Sequence, residues 1–318
     1  MFAGQGSQYY GMGRRLYEEE STFKKWIDYG TAVVEGKLGF SLTEILYGQA
    51  ADSGAPFVKT IHSHPALFVL QYALAQTLIA RGMRPRYVLG YSLGEFVAHC
   101  IGGTISYAEA LGGVIRQAQV LEATCTRGAM LAILESPDIL RRFRDSASSL
   151  EVGAVNSKEH FVVSGTKDSV QRLHEVLRDS GTGSVLLPVE YAYHSSYVDE
   201  VLTHDRSHLG EAKRATTHCR VISATYRGFV DAIQGEYFGT VIRAPVRFDE
   251  TVRLLESTGE YLYLDLGPSG TLANFVIRNL GRSSRSRVNA IMTPYGLDNA
   301  RLGALLAKIS ALSNGSDD

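Results

Sequence analysis

The chain has 318 residues, 45% of them apolar and 20% charged, with a formal net charge of −1. This is the composition of a globular protein with room for one large domain carrying an insertion, or for two domains, and it gives no reason to expect nucleic acid or an anionic membrane as partner. No apolar run reaches membrane-spanning length, and Cys100, Cys125 and Cys219 show no C-x-x-C spacing, which argues against a disulfide framework or a metal site and for a reducing, cytoplasmic setting.

The first residues have no basic region or signal core and almost no strand ahead of the glycines, so a few residues are expected upstream in the native protein. Gly4-Gln5-Gly6-Ser7-Gln8 reads as a glycine-rich turn before a helical stretch over 10–20. Such a loop can aim backbone N–H groups into one cavity, to bind phosphate or to donate to an oxyanion; taken alone it reads equally as a terminal turn. Helices are predicted over 22–34 and 40–47, the second with Ser41 as N-cap, and a loop over 50–59. A helix then opens at Ser63-His64-Pro65, with Pro65 at its first position, and runs to Ala80; it is apolar nearly all round and should be buried.

Residues 86–90 form an apolar run that feeds Gly90-Tyr91-Ser92-Leu93-Gly94-Glu95. Strand, G-x-S-x-G and helix in that order place a serine on a strained elbow at a helix N-terminus, as a nucleophile would be placed. By itself the motif leaves an ordinary turn as an equal alternative. Ser106 and Glu109 have capping-box spacing ahead of a helix over 107–123.

The pattern changes near Thr126. A strand over 130–134, a helix over 137–144, strands over 152–155 and 161–164, a helix over 167–179 and a strand over 184–189 follow. This β-α-β-β-α-β order predicts a ferredoxin-like unit over 126–190. Beyond it come a helix over 197–208, a strand over 221–225, a helix opened by Ala244-Pro245-Val246-Arg247-Phe248, a strand over 262–266 ending in Gly267-Pro268-Ser269-Gly270, and a helix over 271–280. The predicted fold is α/β. A large parallel-sheet, α/β hydrolase-like subdomain (1–125 and 191–300) carries the small ferredoxin-like insertion, and 301–318 adds a C-terminal helix and polar tail.

A serine nucleophile needs a base. Of nine histidines, His194 follows a strand at an abrupt change of pattern; the residues alone leave it open between a packed histidine and a base. Here the ordered motifs add information. Gly4–Gln8, His64-Pro65-Ala66-Leu67, Gly90–Glu95, Asn156 with Val162–Gly165, Tyr191–His194 and Gly267-Pro268-Ser269 together resemble the acyl-CoA:acyl-carrier-protein acyltransferase family. That family includes malonyl transacylases and the acyltransferase domains of polyketide synthases, and the resemblance spans about residues 1–290.

The resemblance implies that Ser92 attacks a thioester to form an acyl-enzyme and that His194 is general base, then general acid. It implies that the backbone carbonyl of Arg247 orients the imidazole and that the N–H groups of Gln5 and Leu93 form the oxyanion hole. It also implies an acyl carrier protein as partner, no bound cofactor, and a substrate carried on the phosphopantetheine of that protein or of CoA. Arg278, Arg282, Arg285 and Arg287, with no acid among them, are a candidate contact for an acidic carrier protein, or equally a solvated loop.

Three departures bear on the substrate. Gln117 occupies the position of the arginine that grips a malonyl carboxylate, and Arg116 beside it points about 100° away on a helix. Tyr91 replaces a histidine and His64 a glutamine, and Tyr191-Ala192-Tyr193 matches neither common malonyl-type specificity motif. Gln117, Tyr91, His64, Tyr193 and Asn156 are the candidate substrate contacts. A neutral Gln117 cannot offset a buried carboxylate, so an uncharged acyl group is expected. Loss of that arginine is a feature of the acyl hydrolases of polyketide synthases that use free-standing acyltransferases. The expected function is therefore an editing acyl-carrier-protein thioester hydrolase, with an acyltransferase for a starter or extender unit, or a non-catalytic docking module, as alternatives.

Overall fold

The computed structural model describes residues 1–49, 55–204, 213–214 and 219–314. The predicted helices at the start are present with shifted ends: α1 (Arg14–Glu19), α2 (Ser21–Leu38) and α3 (Leu42–Tyr47), the last capped by Ser41 Oγ. Residues 50–54 of the predicted loop lie outside the described residues. Helix α4 (Thr60–Ala80) starts a turn earlier than predicted, so Pro65 is inside it rather than at its first position. Its first turn is held instead by Ile61 N donating to Glu122 Oε1 and Ser63 N to Lys59 O. Apolar on every side, α4 is the buried spine of the larger core, packed by α2.

Strand β1 (Tyr87–Gly90) runs into α5 (Gly94–Ile101), and α6 (Tyr107–Thr124) carries the predicted Ser106–Glu109 capping box. Next come β2 (Ala129–Ile133), a 3₁₀ turn (Pro137–Arg141), α7 (Arg144–Ala147), β3 (Glu151–Ser157), β4 (His160–Gly165), α8 (Lys167–Asp179) and β5 (Ser184–Leu186). Their sheet order is β3-β4-β2-β5, all antiparallel, which is the split βαβ arrangement predicted from the sequence. Val170, Leu173 and Leu177 of α8 close a separate small core against it.

The chain then forms α9 (Asp199–His204), β6 (Lys213–Arg214), β7 (Arg220–Ser223), β8 (Gly228–Val230), β9 (Ala232–Ile233), α10 (Tyr237–Arg243), β10 (Val246–Arg247) and α11 (Phe248–Thr258). The helix predicted over 197–208 is described only as far as His204. The last described elements are β11 (Leu262–Asp265), α12 (Thr271–Asn279), β12 (Arg287–Ala290) and α13 (Asp298–Asn314). Strands β6, β8, β9, β10 and β12 are too short or too polar to show period-two alternation, and neither they nor helix α10 is among the predicted elements.

Strand β1 pairs in parallel with β7, and β11 in parallel with β12. Residues 1–2 join the two pairs: Met1 N donates to Leu264 O, Leu266 N to Met1 O, Phe2 N to Leu89 O and Tyr91 N to Phe2 O. Strand β10 extends the small sheet, pairing Val246 with Ala154 and Arg247 with Val155, while Arg247 N donates to Ala224 O just past β7. The two sheets therefore meet at β10. Ser92 and His194 both lie at this seam.

Candidate active site

Ser92 follows the C-terminal end of β1 with φ 55°, in the left-handed region, and α5 starts two residues later. The elbow requires close backbone approach. A Cβ on Gly94 would lie 2.1 Å from Phe2 O, and one on Gly4 would lie 2.8 Å from Ser92 Cβ. The only residues those places accept are therefore ones without side chains.

His194 also has positive φ (60°), an uncommon state for a non-glycine residue and one associated with functional strain. Its N–H donates to Ile242 O, and Ser164 Oγ donates to Tyr193 O at 2.6 Å, so the neighbouring peptides are fixed from α10 and from β4. His194 Nε2 lies 2.9 Å from Ser92 Oγ, and Nδ1 lies 2.9 Å from Ala244 O. A carbonyl only accepts, so Nδ1 carries the proton and Nε2 has its lone pair free for the serine hydroxyl.

The carbonyl that orients the imidazole is thus that of Ala244, not of Arg247. Helix α10 ends at Arg243 and the chain becomes extended at Ala244, which turns this carbonyl toward the ring. Arg247 O accepts instead from Thr251 Oγ1 in α11. The motif spacing could not resolve a shift of three residues across the short β10.

Burial pushes the His194 pKa down to about 4, opposed by hydrogen bonds to the carbonyls of Ala244 and Val241. An imidazole can act as a base only in its neutral form, which this shift preserves down to acid pH. Labelling of Ser92 by a serine-directed phosphonate is expected to be flat from pH 8 to about 5 and to fall tenfold per unit below about pH 4. A midpoint near the ordinary histidine value would contradict this environment for the ring.

Among the described residues no acceptor is paired with the backbone N–H of Gln5 or of Leu93. Leu93 N lies at the start of α5, where the helix dipole adds positive potential. The loop carrying Gln5 is held on both sides. Gln71 accepts from Ala3 N (2.5 Å) and donates to Ala3 O (3.0 Å), while Gln8 Nε2 donates to Phe57 O and Pro188 O. Gln71 was not predicted; the signal for it was a glutamine on a helix otherwise too apolar to need one.

A cavity of about 10 Å³, room for one water molecule, adjoins Ser92 and is lined by Gln5, Leu93, His64, Gln117, Tyr193 and neighbouring apolar residues. Gln117 is buried and its Nε2 lies 3.4 Å from Phe238 O, whereas Arg116 is exposed. The helical register predicted from the sequence therefore holds. Tyr193 OH lies 3.3 Å from both His64 Nε2 and Thr60 Oγ1, and burial drives the His64 pKa down to about 3, so this wall is polar but uncharged.

Tyr91 and Asn156 do not line this cavity. Tyr91 OH donates to Asn156 Oδ1 (2.9 Å), Asn156 Nδ2 faces His160 Nδ1 (3.1 Å), and Asn279 Nδ2 donates to Asn156 O. The pair ties the elbow to the small sheet and to α12. Arg278, Arg282, Arg285 and Arg287 are all exposed, from the last turn of α12 to the start of β12, with Arg285 Nε 3.9 Å from Glu260 Oε1. No helix among the described residues is long and apolar enough to cross a membrane.

Known proteins resemble this chain in sequence and in fold. The chain is 37% identical over 303 residues to the polyketide biosynthesis acyltransferase homolog BaeD of Bacillus velezensis, covering 95% of this chain and 93% of that protein. It is 35% identical over 295 residues to the polyketide biosynthesis acyltransferase homolog PksD of Bacillus subtilis, covering 93% and 91%. The fold matches the acyltransferase domain from the second module of the salinomycin polyketide synthase with a TM-score of 0.81 and 27% identity, over 96% of this chain and 71% of that one. Residues 1–306 match the acyl transferase domain family, and the chain belongs to that family.

Proposed function

We propose that this protein is an acyl-carrier-protein thioester hydrolase that removes short, uncharged acyl groups through an acyl-enzyme on Ser92. The observation that carries the reading is Gln117: it lines the cavity beside Ser92, and no lysine or arginine among the described residues does. A malonyl carboxylate placed there would be buried without a counter-charge, at a cost of several kcal/mol. An acetyl or butyryl group meets no such charge cost, and enters a cavity with room for one water only as the lining side chains move aside.

In this reading His194 Nε2 takes the Ser92 proton as Oγ bonds to the thioester carbon. The oxyanion is held by the N–H groups of Gln5 and Leu93, each contributing about 3 kcal/mol to the transition state. The C–S bond then breaks and His194 returns the proton to the departing thiol. A water gives its proton to Nε2 as it attacks the acyl carbon, the Oγ–C bond breaks, and the proton goes back to Ser92, leaving a free acid. The partner is an acyl carrier protein whose acidic surface is complementary to the exposed arginines around α12 and β12. The cysteine spacing, without a C-x-x-C pair, supports a cytoplasmic setting.

The likeness to BaeD and PksD, both acyltransferase homologs of polyketide biosynthesis, favours a second reading, transfer of an uncharged unit between thiols, with phosphopantetheine thiol replacing water in the second step. Incubation with a carrier protein loaded with acetyl, butyryl or malonyl groups, followed by intact mass, separates the two. Release of free acid from the first two is expected. Acyl transfer to a second carrier protein with little free acid would replace hydrolysis by transfer.

A further inference from the structure

Behind the elbow lies a buried polar wire that the Ser92–His194 pair does not use. Glu95, on the helix that opens the elbow, is fully buried, and no ion pair joins it among the described residues. Its Oε1 accepts from Ser223 Oγ (2.7 Å) and from Thr225 N (3.3 Å), and its Oε2 from the Tyr237 hydroxyl (2.5 Å). The same hydroxyl lies 2.9 Å from His99 Nε2, and His99 Nδ1 lies 3.3 Å from Thr104 Oγ1.

These contacts have one consistent polarity when Glu95 is ionised. Tyr237 donates to the carboxylate, so its oxygen accepts from His99 Nε2–H, and Nδ1 accepts from Thr104. Every donor then has an acceptor. Burial raises the Glu95 pKa to about 7, against the hydrogen bonds from Tyr237, Ser223 and Thr225 that lower it.

A buried carboxylate without a counter-charge contributes little net stability compared with a packed apolar pair, but its directional bonds allow one geometry only. What the bonds join is informative. Glu95 lies three residues from Ser92. Tyr237 is the first residue of α10, and the far end of that short helix supplies Ile242 O and, just past it, Ala244 O, the two carbonyls that hold His194.

We propose that the Glu95–Tyr237 contact sets the separation between the elbow and α10, which makes Tyr237 a positioning residue for the Ser92–His194 pair. This rests on the reading of that pair as nucleophile and base, and it holds for hydrolysis and transfer alike.

Tyr237→Phe removes one oxygen and keeps the ring stacked on Tyr226, at 5.0 Å between centroids. The variant is expected to slow acylation of Ser92 about tenfold with KM for acyl-carrier protein unchanged, because small displacements between reacting groups cost rate rather than binding. Glu95→Gln keeps the contact with its polarity reversed, the amide donating to Tyr237 and Tyr237 to His99. It is expected to lose less than Tyr237→Phe and to move the His99 proton from Nε2 to Nδ1, read by ¹⁵N NMR at pH 8. Wild-type acylation per folded molecule in Tyr237→Phe, beside an inactive Ser92→Ala, would overturn the strut and leave the pair standing. Acylation surviving in Ser92→Ala would overturn the pair itself.

Discussion

Ser92→Ala is expected to lower release of butyrate from butyryl-carrier protein by at least about 10⁴-fold, and His194→Ala by a comparable factor. The proposed mechanism makes the two one unit, with the 2.9 Å contact between Oγ and Nε2 as the path of the proton. The double variant is therefore expected to be no worse than either single one, since what remains is binding and the oxyanion donors. Folding should be unaffected: alanine at 92 leaves the left-handed backbone and the close approach of Gly4 as they are. Measurement needs initial rates by mass and a melting curve for each variant. Single losses that multiply in the double variant would mean that serine and histidine act in separate steps.

The second large effect concerns the acyl group. Gln117→Arg puts a guanidinium where the cavity wall is now polar and neutral. A malonyl carboxylate would gain a charge-assisted hydrogen bond worth about 1.5–3 kcal/mol. Butyryl would instead leave the new charge buried and unpaired. The ratio of malonyl to butyryl turnover is expected to rise by about 10- to 100-fold, by gain on one side and loss on the other. An unchanged ratio would mean that the acyl chain does not reach Gln117. Gln117→Leu separates charge from polarity: it is expected to favour butyryl further while leaving malonyl poor.

Much of the site was legible in the sequence because its parts are local. The G-x-S-x-G elbow, the capping box before α6 and the split βαβ order each depend on residues close together in the chain. The helical phase that turns Gln117 inward and Arg116 outward is likewise a local property. What was not legible depends on contacts across the sheets. Ala244 replaces Arg247 as the orienting carbonyl because a two-residue strand, β10, intervenes and joins the small sheet. Its hydrogen bonds go to β3, some 90 positions earlier, and no window of sequence contains them. Pro65 reads as a helix start by propensity, yet Glu122 on α6 lets α4 begin five residues before it. Tyr91 and Asn156 were grouped with the substrate contacts by motif, but the structure pairs them with each other, 65 positions apart. The left-handed φ of His194 has no sequence signal at all, since glycine is the usual mark of that conformation.

The fate of the acyl-serine is the central question, and the most direct measurement is intact mass of butyryl- and malonyl-carrier protein mixed in equal amounts with the enzyme and a second, unloaded carrier protein. Hydrolysis of uncharged acyl groups requires that the butyryl species be converted to the free thiol form with butyrate in solution, that the malonyl species persist, and that the second carrier protein stay unloaded. A second carrier protein that gains malonyl mass while little free acid is formed would contradict it.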